Sequence, residues 1–400
     1  MPCAWAPLLL ATSFAWFAPA FEDTPGNAYP RKHTIFVNFD GGDFRASGVD
    51  NSAENATSVL LQDASIPAYG LDMAARTSIL QAVEADLAPY GVRVVDTRPA
   101  AVLPYTLVTV GGSSDDLGVG PGAAVTVLSD CGARNQRHLG WVFETANQTA
   151  DANLVASIVG ITAGLDSTTN PDSLMASTPA TDDVGFTDLC EEVAAVPVPC
   201  TQQHEQYCTT GEQNADAELA FVFGDATPDE QPPSVEILQP PDGARYELGQ
   251  DVELTAIVSD DYGGYGWKTT VRKDGEVVFD KVDYTKVSLD DQGRVLFSLQ
   301  NAEAGAYTLT VTAMDHADHT TEDTVTITIE GAPDGSTGAD GTGGSTDLGT
   351  GSTSTGEDPT SSASDDSGED GCSCRTTPRC PTGWWTLWLP VCHRRRRRAS

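Results

Sequence analysis

At residues 226–233 (ATPDEQPP) the apolar period of this 400-residue chain changes, and the change divides what it can fold into. Upstream, apolar runs switch between strand and helix spacing. Residues 33–39 (HTIFVNF), 92–95, 105–110 and 124–128 read as strands, several of them ended by glycine turns. Ile79, Leu80, Val83 and Leu87 mark one helix face, with Gly91 as its stop. Leu154, Val155, Ile158 and Ile161 mark a second over 149–163, ended by Gly164. Strands alternating with helices predict an α/β domain over 30–225. Downstream, seven short apolar runs between 235 and 329 are separated by turn residues, with Trp267 as the expected core aromatic. Residues 234–330 therefore predict a second, all-β domain built as a sandwich of two sheets.

The flanks are of another kind. Residues 1–20 contain no Asp, Glu, Lys or Arg, carry an apolar run, and end on Ala18-Pro19-Ala20, a small-x-small cleavage pattern. They predict a signal peptide with a mature start near Phe21. Residues 331–371 are mostly Gly, Ser, Thr, Asp and Glu, too poor in apolar groups to bury a core, and predict a disordered acidic linker. All 58 acidic residues lie between 21 and 371, whereas seven of the 22 basic ones lie beyond Cys372. The exported body is thus more acidic than the net charge of −36. Such a charge opposes binding to nucleic acid or to anionic membrane, and no nucleic-acid partner is expected. Nine cysteines fit an oxidising compartment. Cys131, Cys190, Cys200 and Cys208 can form two disulfides in three connectivities.

Residues 157–167 read SIVGITAGLDS and residues 170–175 read NPDSLM. With HTIFVNFDGG, YTLVTVGG, the Asp130-Cys131-Gly132 element and WVFET preceding them in order, they resemble a metzincin-like zinc metallopeptidase domain of the kind found in myxobacterial secreted proteins. In that family a helix ends in HExxHxxGxxH and a methionine turn follows. The resemblance implies that Ser157, Ile161 and Ser167 stand where three zinc histidines belong, that Ile158 stands where the general-base glutamate belongs, and that Met175 is the turn methionine. A catalytic zinc needs about three N, S or carboxylate ligands and an open position for water. Serine hydroxyls are poor ligands, isoleucine is none, and Ile158 accepts no proton. No catalytic residue, no zinc and no other resident cofactor are expected in this domain.

The second domain resembles bacterial immunoglobulin-like or cadherin-like repeats. Asp315 and Ala317 keep the turn pattern of such repeats, while Asp318 and His319 depart from it. Asp260 and Asp261 occupy another loop. The four carboxylates Asp260, Asp261, Asp315 and Asp318 can gather the hard oxygen ligands that calcium takes, or simply cap turns. Finally, Cys372 and Cys374, an apolar stretch, and the run Arg394, Arg395, Arg396, Arg397 and Arg398 resemble the myxobacterial C-terminal sorting signal of the MYXO-CTERM type over 372–400. The arginine run favours the cytoplasmic side. Residues 381–392 are too few to span a bilayer as a helix, which takes about 20 residues. The sequence predicts an exported protein of the outer membrane, cell surface or medium, handled by export and sorting machinery. Its metallopeptidase-like domain is expected to be a pseudoenzyme acting in adhesion or recognition of a surface protein or peptide. The alternatives are a secreted zinc-dependent metalloendopeptidase using other ligands, and a structural surface spacer.

Overall fold

In the computed structural model, residues 30–145, 147–194, 198–285 and 293–331 are described. The expected signal peptide, the acidic linker beyond Gly331, Cys372, Cys374 and the five arginines lie outside the described residues. The architecture is multidomain, with mixed α/β structure first and sheets alone afterwards.

The first module contains β1 (His33–Asn38), β2 (Gly42–Ala46), β3 (Ala56–Thr57), β4 (Ala64–Ile66), α1 (Met73–Leu87), β5 (Val92–Val95), β6 (Tyr105–Val110), β7 (Ala124–Thr126) and β8 (Leu139–Val142). It continues through α2 (Gln148–Thr162), β9 (Glu191–Glu192), α3 (Thr201–His204), β10 (Glu212–Gln213) and α4 (Ala215–Phe223). Its main sheet has the order β5-β1-β6-β8-β7, parallel except for the edge strand β7. Strands β1 and β6 are buried at every position because both faces of the sheet are covered. Ile35 and Val37 point to the helical side, where they meet Ile79 and Val83 of α1, Val155 and Val159 of α2, and Leu219 of α4. Phe36 points to the other side, into a core with Phe44, Leu107 and Trp141. Asp72 caps α1, accepting from the Ala75 amide at 3.0 Å, and Asn147 caps α2 through two amides. Helix α1 ends at Leu87, before the expected Gly91 stop, which instead donates its amide to Gly224 O. The four cysteines pair as Cys131–Cys200 and Cys190–Cys208, resolving the three connectivities.

The second module contains β11 (Ser234–Gln239), β12 (Ala244–Glu247), β13 (Val252–Ser259), β14 (Gly266–Lys273), β15 (Glu276–Tyr284), β16 (Arg294–Leu299), β17 (Gly305–Met314) and β18 (Thr320–Glu330). They form a three-stranded sheet, β11-β13-β16, and a five-stranded sheet, β12-β18-β17-β14-β15. Alternation in β13 and β17 turns Val252, Leu254, Ala256 and Val258 of one sheet toward Leu309 and Val311 of the other, with Trp267 buried among them. The strand β12 was not among the seven runs; four residues (ARYE) set between prolines and glycines carry no apolar alternation of their own.

The two modules meet along a seam. Lys32 N donates to Gly263 O and Gly263 N to Pro30 O, both at 3.1 Å. Thr34 Oγ1 lies 2.8 Å from His316 Nδ1, Tyr284 donates to Asn135 Oδ1 at 2.9 Å, and Arg93 pairs with Asp318. Gly264, at φ +96°, takes a left-handed conformation against the Lys32 carbonyl, where any side chain would collide.

Candidate metal centre

Helix α2 is the natural first place to look for a metal, and its side chains there serve packing. Ile158 is 2 % exposed, and its methyl groups fill the space beside Gly140 of β8, where an added Cβ would come within 2.6 Å of Cγ2. Ile161 packs against the same core. Ser157 lines a cavity of about 10 Å³ with Ser173 and Leu174, room for about one water. Ser167 is half-buried, and its carbonyl accepts from Ala194 N at 2.7 Å. Gly164 carries φ +99° and turns the chain out of the helix. Met175 is fully buried, with its sulfur against Gly160 so closely that a Cβ there would sit 2.6 Å away. Among the described residues, the groups of His, Cys, Asp or Glu able to hold a metal lie elsewhere.

Just beyond α2 the chain buries an acid–base triad. Both nitrogens of His204 face carboxylates: Nε2 is 3.1 Å from Asp166 Oδ2 and Nδ1 is 2.8 Å from Glu218 Oε2. Burial alone would lower its pKa, but the hydrogen bonds to Asp166 and Glu218 outweigh that and raise it to about 9. The imidazolium therefore donates to both acids. Ser129 Oγ donates to Asp166, and Gln203 Nε2 and Asn214 N donate to Glu218, so the remaining oxygens are satisfied. All three residues are sealed from solvent, and no substrate reaches them. The triad ties α3 and α4 to the end of α2; it is a lock in the fold.

The groups able to hold a metal gather at the seam instead. Asp229, Asp260 and Asp261 bring one carboxylate oxygen each within 4.8 Å of one another. Asp229, Asp315 and His319 do the same with a ligand atom apiece. Asp260 and Asp261 follow β13, Asp315 and His319 flank the tight turn from β17 to β18, and Asp229 comes from the connector after α4. The turn is braced by Asp315, whose Oδ1 accepts from the amides of Ala317 and His319 at 2.9 Å each. Its Oδ2 meets His319 Nδ1 at 2.9 Å. Both oxygens of Asp229 are sealed from solvent. Burial, then the charges of Asp315 and Asp261, raise its pKa, while the nearby Gln231 amide only tempers the rise. Burial and the hydrogen bond with Asp261 push Asp260 up to about 8. Repulsion and desolvation together make this a place where positive charge is wanted.

Three of the four expected calcium carboxylates, Asp260, Asp261 and Asp315, thus converge around Asp229. Asp318 turns away to Arg93 of the first module, at 2.6 Å, which holds its carboxyl below the usual range. Asp229 and His319 were not foreseen as ligands. Asp229 sits in a stretch whose composition reads only as linker, and nothing local says that the connector folds back over two loops.

No family model matches the sequence, and no curated protein matches it. Solved structures similar to part of the chain include the fibronectin(III)-like modules of Clostridium thermocellum CbhA, 22% identical, with a TM-score of 0.19. That match covers 25% of this chain and 47% of that one. A PKD domain of an M14-like peptidase from a Thermoplasmatales archaeon is 19% identical at a TM-score of 0.18, covering 26% of this chain and 98% of its own. Titin M4 is 14% identical at 0.19, covering 26% and 100%. Likenesses at these TM-scores carry no argument about fold or function.

Proposed function

We propose that this is an exported surface protein without hydrolytic activity that works in adhesion or recognition. Its first module is read as a metzincin-like fold that has lost zinc and base, its second as an immunoglobulin-like sandwich that takes calcium at the seam. The observation that carries the proposal is Ile158. At the position of the general base stands a side chain packed into the core between α2 and β8, so the helix works in folding where the family's helix works on a metal. The turn at Gly164 and the burial of Met175 beneath Gly160 support the resemblance. Calcium is supported by the carboxylates of Asp229, Asp260, Asp261 and Asp315, since hard oxygen ligands drawn from several loops suit that ion. Export is supported by the apolar leader and by two disulfides in the first module. The purified full chain should bind a surface extract component saturably, retain that binding with zinc stripped, and lose it when calcium is removed. A ligand captured only alongside peptide cleavage would sink the proposal, and absence of any saturable partner would favour a passive spacer.

A further inference from the structure

We infer that the outer edge of β5 is a peptide-docking groove, which takes an extended, lysine- or arginine-bearing segment of a partner protein as an added strand. The inference rests on the recognition reading given above and supplies the place of contact and the chemistry of the partner.

The backbone comes first. Strand β5 ends the main sheet, with β1 on one side and no strand on the other among the described residues. Its parallel register sets His33 opposite Val92, and His33 N donates to Gly91 O at 3.0 Å. Backbone groups alternate in such a ladder, so Arg93 and Val95 direct theirs to β1. Val94 then turns its amide and its carbonyl away from the sheet, flanked by the Val92 carbonyl and the Asp96 amide. A peptide laid along this edge meets a row of donors and acceptors already in strand geometry, which is what strand addition uses.

A cavity runs along the same edge. It holds about 440 Å³ and is bounded by residues 93–100, by Leu80 and Glu84 of α1, and by Asp318. That volume is typical of a ligand cleft. On the helical flank Leu80 and Val94 pack against the core, and Glu84 stands one turn beyond Leu80, exposed. A side chain of the added strand that points this way crosses apolar surface and then meets a carboxylate. A long aliphatic stem with a cationic tip fits that path.

Charge selects the same partner. The cations of the cavity are engaged: Arg93 donates through both terminal nitrogens to Asp318. Arg98 donates to Ser52 O, Tyr105 Oη and Asn55 Oδ1 and stacks over Phe36. Glu84 and Asp96 are exposed and form no ion pair with a described residue. The lining keeps a negative excess on a chain of net charge −36, which draws in a cationic segment and repels a second copy of the chain.

The test is fluorescence-anisotropy titration of the full chain against three labelled decapeptides. One alternates threonine with lysine, one alternates threonine with glutamate, and the third is the lysine peptide with every backbone amide methylated. Only the unmethylated lysine peptide should bind saturably. Its affinity should fall at least about tenfold in Val94→Pro, which removes the outward amide, and equally in Glu84→Lys, an exposed helix position that leaves folding intact. Equal binding of the methylated peptide, or binding indifferent to Glu84→Lys, would reduce the effect to general attraction by an acidic surface and overturn the groove. A concentration-dependent dimer lost in Val94→Pro would assign the edge to a second copy and overturn it as well. If no peptide binds at millimolar concentration while a surface-extract component is still captured, the groove falls and the recognition reading stands. If the lysine peptide binds as expected and nothing is captured from the extract, the recognition reading falls and the groove stands.

Discussion

Glu218 is an acid inside the apolar run of α4, and its burial is tolerable only because His204 and Gln203 meet it. Removing the imidazole leaves Asp166 and Glu218 buried without their shared cation. His204→Gln should therefore cost about 3–5 kcal/mol in denaturant unfolding. The sign of its pH dependence follows from the raised pKa. The folded state holds a proton that the unfolded chain releases near 6.5, so the triad stabilises fully below 6.5 and loses that contribution as pH rises through about 9. The gap in stability between the native chain and His204→Gln should narrow over that interval, as thermal melts would record. Glu218 had a signal, a carboxylate on an apolar helix face, which demands a buried partner without saying which. Asp229 had none, because its meaning depends on where a connector runs in three dimensions.

Helix α2 shows what element-scale patterning conveys. Its bounds, apolar stripe and glycine exit follow from local chemistry, and the structure places them within a residue of the expectation. The exchange of a metal-bearing face for a packing face is equally local, since it is written in Ile158 and Ile161. Reversing it should be costly: Ile158→Glu buries an unpartnered carboxylate against Gly140 and should destabilise by about 3–5 kcal/mol, whereas Ile158→Leu should cost under about 1.5 kcal/mol. Chemical denaturation of the two variants checks the contrast. Less legible were β2, β3, β4 and β12, short strands formed because neighbours offer them a partner, with little apolar pattern to announce them. The disulfides were legible as a set of four cysteines and illegible as pairs. Cys131–Cys200 closes 69 residues of sequence, and its removal as the double serine variant should cost about 2–5 kcal/mol in unfolding measured with the other bridge intact.

At the scale of the molecule, division into two modules was readable from the change of period at 226–233, whereas the seam between them was not. Its contacts include Gln136 with Thr285 and Thr34 with His316, 149 and 282 positions apart. The seam also carries two buried imidazoles. Burial, then the charge of Arg93, lowers His316 to about 3, and burial with the neighbouring His316, Arg31 and His138 holds His33 well below its ordinary value. Both are neutral in the folded state and become protonated in the unfolded chain near 6.5, so stability is lost as pH falls from 6.5 toward 3. His316→Gln should flatten that acid loss in thermal melts recorded between pH 6.5 and pH 3. These couplings bear on how the modules hold together; what the first module does to other molecules turns on α2. The most direct measurement is peptide hydrolysis by the full chain against a broad peptide library with zinc and calcium in excess. The account predicts no cleavage above the buffer rate. Chelator-sensitive cleavage above that rate would contradict it.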